Sequence, residues 1–200
     1  TLFLTADHAA VHVPSYLQSL KIPAHYLKTK KFKKFLLKVT KKYFNSIELI
    51  ENVSNYQIFL DKDKIESLGF EVNTVAQKLA DEVVSFDEIY KAVTARTLQT
   101  THFSTGILNA LQNGYNQKLS GEVLMIPNPA TLMRGKKGTS HGSGYSYDTH
   151  IPLIFYGNGI QKGASTKKYN ITDIAPTIAN LLDIEAPNGT NGVVIDEVLK

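Results

Sequence analysis

Cysteine is absent from the 200 residues. That excludes thiolate metal ligands, catalytic thiols and disulfides, and it permits an oxidising compartment without requiring one. No apolar run reaches the length of about 18 residues that a membrane-spanning helix needs. No secretory leader is visible. The chain begins at Thr1, without methionine, inside the apolar run Leu2-Phe3-Leu4, and reads as a processed or trimmed product. Evenly spread positive charge is also lacking. The net charge of +4 is owed to one segment holding Lys30, Lys31, Lys33, Lys34, Lys38, Lys41 and Lys42. Without those seven lysines the remaining basic groups number fewer than the 18 acidic ones. A nucleic-acid partner is therefore not expected.

The rest is the composition of an ordinary globular protein, long enough for one domain or a core with a smaller lobe. Thr1–Thr5 suits a buried strand, and Pro14 and Pro23 bracket a short helix around Ser15–Leu20. In the lysine segment Phe32, Phe35, Leu36, Val39 and Tyr43 recur at helical spacing, which predicts an amphipathic helix with a lysine-studded outer face. That face is first a solvated one, with contact to anionic groups as the alternative. Ser46–Val53 and Tyr56–Leu60 read as paired strands joined at Ser54-Asn55. Val72–Val84 reads as a helix, Glu88–Thr94 as a strand, Thr105–Gln112 as a helix and Glu122–Ile126 as a strand. Together they predict a compact sub-sheet with helices on one face. Loop signals fill Asn128–Tyr147. Pro152–Tyr156 reads as a buried strand, and Thr172 or Asp173 is placed to cap a helix carrying Ile174, Ile178, Leu181 and Leu182.

Two places carry residues suited to chemistry. Asp7-His8 follows an apolar strand, the position at which α/β sheets gather ligands; both side chains reach one site only if the chain turns there. The alternative is a capping aspartate beside a surface histidine. His141 lies in the glycine-rich stretch Gly138-Thr139-Ser140-His141-Gly142-Ser143-Gly144, as a metal ligand, a general base or a surface histidine. The same stretch fits the G-x-S-x-G nucleophile elbow with Ser140 as nucleophile, but that motif needs an apolar strand before it and a helix after it. Arg134-Gly135-Lys136-Lys137 precedes it and Gly142–Tyr147 follows, so the context is wrong. Asp61-x-Asp63 starts like a calcium loop, but Glu66 and Val72 stand where glycine and glutamate are required. His12, His25 and His102 sit in no supporting pattern.

Read together, Phe3-Leu4-Thr5-Ala6-Asp7-His8, the stretch from Gly138 through Asp148-Thr149-His150-Ile151-Pro152 to Gly157, and Asn170-Ile171-Thr172-Asp173-Ile174-Ala175-Pro176-Thr177-Ile178 resemble the alkaline phosphatase superfamily. The likeness is nearest to its phosphate-irrepressible, broad-specificity branch of Bacteroidetes type, and is to the C-terminal portion only. The resemblance implies an α/β fold: part of an α/β/α sandwich with a mainly parallel central sheet, plus a smaller α+β sub-sheet. Residues 1–25 and 128–200 would belong to the metal-binding core and residues 26–127 to an inserted lobe. It implies two zinc ions, with Asp7 and His8 on one and His141 on the other, and His150 structural or supporting. Both side-chain types suit zinc.

A threonine or serine nucleophile is expected upstream of this chain, together with further ligands and phosphate-binding basic groups. No catalytic residue is then expected within the chain, its substrate-binding residues are not identified, and the isolated chain is expected to be inactive. The implied partners are small-molecule phosphate esters and the remainder of the catalytic domain, in a periplasmic or secreted setting. A phosphodiesterase or sulfatase of the same superfamily is one alternative. A non-catalytic anion-binding module built on the lysine-rich helix is another.

Overall fold

The computed structural model describes residues 1–133 and 138–199. In chain order the elements are β1 (Leu2–Thr5), α1 (Pro14–Ser19), β2 (His25–Tyr26), α2 (Thr29–Phe44), β3 (Ile50–Ser54), β4 (Gln57–Leu60), α3 (Lys62–Ser67) and α4 (Val72–Val83). Then follow β5 (Ile89–Thr94), α5 (Ala95–Thr100), α6 (Gly106–Asn113), β6 (Val123–Pro127), β7 (Thr131–Leu132), α7 (Ser146–Thr149), β8 (Leu153–Tyr156) and α8 (Ile174–Leu181). Single 3-10 turns occupy Ile171–Asp173 and Asp196–Val198. Contacts divide the chain into two compact units: Thr1–Asp7 with Ile151–Lys200, and His8–His150. Within the second unit Val11, Leu17 and Ala24 bury themselves with Ala130 and Leu132.

The main core of the His8–His150 unit lies between helices α2 and α4 and a four-stranded antiparallel sheet of order β3-β4-β6-β5. Helix α2 turns Phe32, Leu36, Val39 and Phe44 inward and keeps its lysines exposed. Phe44 takes the inward place expected of Tyr43, whose ring lies half out under the ammonium groups of Lys42 and Lys78, each 4.4 Å from its centroid. The helix ends at Asn45 in the left-handed conformation, its N–H closing on Lys41 O. From α4, Val75, Ala76, Leu79, Ala80 and Val83 meet the same core. Strand β6 is buried along its whole length, as befits a strand with neighbours on both sides.

One local expectation is corrected. The β3–β4 connection is Asn55-Tyr56, with φ of 48° and 58°, and not Ser54-Asn55. A two-residue hairpin with both central residues at positive φ matches the twist of the strands. The Asp61-x-Asp63 segment begins helix α3, and Asp61 caps it by accepting the Lys64 N–H at 2.9 Å. Strand β2 pairs in parallel with β7, a two-residue ladder that the loop signals in that region concealed.

In the other unit β1 and β8 pair antiparallel, Leu2 opposite Tyr156 and Thr5 opposite Leu153. Both were expected to be buried, yet Leu2, Phe3, Leu4, Ile154 and Tyr156 are all exposed. A strand buried on both faces needs a layer on each, and this ribbon lies uncovered. Helix α8 is entered through a capping box in which Asn170 is the N-cap and Asp173, three residues on, accepts the Asn170 N–H, while Thr172 has no capping role. Thr177 is fully buried, donating to Asp173 O and accepting the Ile195 N–H.

Candidate metal centre

Beyond β1 the chain bends at Asp7, and from His8 to Val13 it has no regular structure. The stretch after Gly138 is laid along it by two hydrogen bonds. The Ala9 N–H donates to Asp148 O at 2.9 Å, and the Thr139 hydroxyl donates to Val11 O. The consequence is that the His8 and His141 rings stack face to face, centroids 3.3 Å apart and planes 12° from parallel. Residues separated by most of the chain are thus in contact.

The path of the loop is set by its glycines and tyrosines. Gly142 has φ of +119°, and a Cβ on Gly144 would stand 2.8 Å from Ile107 Cγ1, so the loop passes against α6 with no room for a side chain. Tyr145 donates its hydroxyl to Pro127 O at 2.9 Å, and the Tyr147 hydroxyl accepts the Ala130 N–H at 2.9 Å. From the lobe, Tyr56 donates to Thr131 O at 2.8 Å. Burial holds the Tyr56 phenol well above the usual tyrosine value and raises that of Tyr145 as well, so both remain proton donors under neutral conditions.

Among the described residues no group of three or more His, Asp or Glu side chains is close enough to enclose a metal ion. His8 and His141 are together; Asp7 is the chain neighbour of His8 and belongs to the β1–β8 unit. The ring pair has the chemistry of metal ligation. His8 Nδ1 lies 2.9 Å from Ala9 O, which can only accept, so Nδ1 carries the proton and Nε2 the lone pair. Ligating nitrogens bind in the plane of their ring. Two nearly parallel rings in van der Waals contact are poorly placed to aim both lone pairs at one shared ion.

His150 is exposed at the end of α7, its backbone N–H on Ser146 O. His12 packs edge-on against Tyr16, and His25 lies in the β2–β7 ladder. No helix follows Ser140 until α7 begins at Ser146, which removes the nucleophile elbow; the preceding residues 134–137 lie outside those described. Asp148, Ser143 and Thr139 tie the two histidine segments together through contacts that no spacing in the sequence announces.

No protein-family model matches the chain. Among curated proteins it is 33% identical over 199 residues to alkaline phosphatase PafA of Elizabethkingia meningoseptica and 35% identical over 205 residues to alkaline phosphatase PhoV of Synechococcus elongatus. It is also 36% identical over 202 residues to a Myroides odoratus protein named a calcium-transporting ATPase. The crystal structure of wild-type PafA superposes with a TM-score of 0.90 at 33% identity, covering 99% of this chain. Over its length the chain is homologous to part of the PafA and PhoV alkaline phosphatases. It spans 36% or 37% of the length of these curated relatives and 38% of the PafA crystal chain. Its fold is that of the matching part of PafA, in keeping with the α/β class expected from the sequence. No helix among the described residues is long and apolar enough to cross a membrane.

Proposed function

We propose that this PafA-like chain is the C-terminal portion of a zinc-dependent phosphomonoesterase, secreted or periplasmic. Asp7 and His8 would serve one ion and His141 a second. The observation that carries the reading is the His8–His141 stack, held by the Ala9–Asp148 and Val11–Thr139 hydrogen bonds. When bound, zinc supplies a lowered pKa for a coordinated hydroxyl and charge stabilisation for the departing oxygen. The chain's own residues hold the ligand nitrogens. Ala9 O fixes the tautomer of His8, and Thr139 and Asp148 set where His141 stands.

Two features support the view that the remaining ligands and the threonine or serine nucleophile lie elsewhere in a longer protein. The chain matches 36% or 37% of each curated relative. The exposed apolar residues Leu2, Phe3, Leu4, Ile154 and Tyr156 lie on the two faces of a ribbon that further strands and helices would cover. Phosphate esters are the substrate class, by likeness to PafA and PhoV. The name of the Myroides odoratus relative favours a second reading, in which the bond cleaved is the phosphoanhydride of ATP.

The test is hydrolysis of p-nitrophenyl phosphate and of ATP by the longer polypeptide and by the 200-residue chain. The longer protein is expected to cleave the monoester and to lose that activity on His8→Ala or His141→Ala, while the chain alone is inactive. Activity of the isolated chain that survives His141→Ala would overturn the proposal.

A further inference from the structure

Both histidine-bearing segments are tied to one residue. The backbone carbonyl of Asp148 accepts the N–H of Ala9, the residue after His8, at 2.9 Å. Its side-chain Oδ2 accepts twice from Ser143, two residues beyond His141: the backbone N–H at 2.8 Å and the hydroxyl at 2.7 Å. The Ser143 hydroxyl oxygen in turn lies 3.4 Å from the Tyr145 N–H, closing the loop on itself. No other residue among those described is hydrogen-bonded on one side to the His8 segment and on the other to the turn after His141.

The cost of this arrangement is visible. Asp148 is 6% exposed, and its Oδ1 is buried with no hydrogen-bond partner. A buried carboxylate is expensive unless each oxygen is satisfied, and an asparagine or serine would meet Ser143 at a lower desolvation cost. The neighbouring Tyr147 satisfies the Ala130 N–H, so the short helix α7 could stay in place without a carboxylate.

We propose that Asp148 is a positioning residue for the metal centre: through its carbonyl to Ala9 and its carboxylate to Ser143 it sets His8 and His141 in mutual register. This deepens the reading of the two histidines as ligands and rests on it for its bearing on metal. The coupling of the rings to Asp148 stands apart from that reading. The carbonyl contact survives any substitution in which α7 keeps its backbone, so the carboxylate is the part that mutation can remove.

The experiment uses the whole 200-residue chain as wild type, Asp148→Ala, Asp148→Asn and Ser143→Ala. Imidazole proton–nitrogen correlation spectra of the metal-free protein read the ring-current shifts that stacking imposes on His8 and His141, with exposed His102 and His150 as references. A zinc titration of the longer polypeptide carrying the same substitutions then gives affinity. Asp148→Ala is expected to move both ring signals toward the reference histidines and to weaken zinc binding by about 10–100-fold, with the amide spectrum of the α2–α4 core unchanged. Asp148→Asn retains one acceptor oxygen for Ser143 and should fall between wild type and Asp148→Ala. It is also the decisive variant if Asp148→Ala fails to fold. Ring signals and zinc affinity that stay at wild-type values in Asp148→Ala, or in Asp148→Asn where alanine unfolds the chain, would overturn the inference. If the wild-type longer polypeptide takes up no zinc, the metal reading fails, and the ring-current arm still decides whether Asp148 holds the pair.

Discussion

Replacing Tyr56 by phenylalanine removes a single oxygen from the joint between the β3–β4 hairpin and strand β7. The phenol is 9% exposed and donates to Thr131 O at 2.8 Å, and Thr131 is itself buried. The ring stays, so no cavity opens; the loss is one hydrogen bond and the stranding of a buried carbonyl, about 1–3 kcal/mol. In a domain of this size that lowers the melting temperature by about 2–4 °C per kcal/mol. The effect also depends on pH in a direction that can be worked out. Burial raises the phenol above its ordinary value of 10.0, so the folded chain holds this proton more tightly than the unfolded one. Its contribution is complete below pH 10 and drains away as pH rises from there through the raised folded value. Tyr145 adds a component of the same sign. Thermal melts of wild type and Tyr56→Phe at pH 8 and pH 11, with tyrosinate absorbance followed in parallel, give both quantities. The variant should be less stable at pH 8 and lose less on going to pH 11. Equal melting at pH 8, with the same alkaline loss in both proteins, would refute the reasoning.

Thr177→Val keeps the shape of a fully buried side chain but leaves the Ile195 N–H without its acceptor, so a loss of about 1–3 kcal/mol in urea unfolding is expected. Hydrogen exchange at the Ile195 amide should quicken. Asp61→Ala removes the cap of α3 and should cost about 1 kcal/mol, read from the same denaturation midpoint. Glu197 is held down to about 2 by its hydrogen bonds from the Lys167 ammonium and the Tyr169 phenol. Its contribution is present above the ordinary glutamate value of 4.5 and is lost as pH falls from there toward 2, a window that Glu197→Gln should erase from carboxyl NMR titrations and acid melts.

Helices α2 and α4 and strand β6 were legible because their apolar spacing is long and regular, and tertiary packing only confirms what the period already says. The short elements were not. Asp61 reads on paper as a failed calcium ligand, and only the Lys64 N–H at 2.9 Å makes it a helix cap. Tyr56 at positive φ is a costly choice for a turn; here its ring is buried and its hydroxyl is engaged across 75 residues of chain. The apolar runs of β1 and β8 identify strands correctly, but burial is a property of what lies beside them, which the run itself does not encode. At the site, Asp7-His8 and the glycine-rich loop stood out by residue type. Asp148 did not, because a carboxylate in a Tyr-Asp-Thr turn looks like any surface acid until the Ala9 N–H and Ser143 are seen converging on it.

In the proposed function His8 and His141 serve two separate ions, since nearly parallel stacked rings are poorly placed to share one. Calorimetric titration of zinc into the longer polypeptide, with Asp7→Ala, His8→Ala and His141→Ala alongside wild type, addresses it directly. Two classes of site are expected, one weakened by both Asp7→Ala and His8→Ala, the other by His141→Ala alone. No saturable zinc binding by wild type, or one site abolished equally by His8→Ala and His141→Ala, would contradict it.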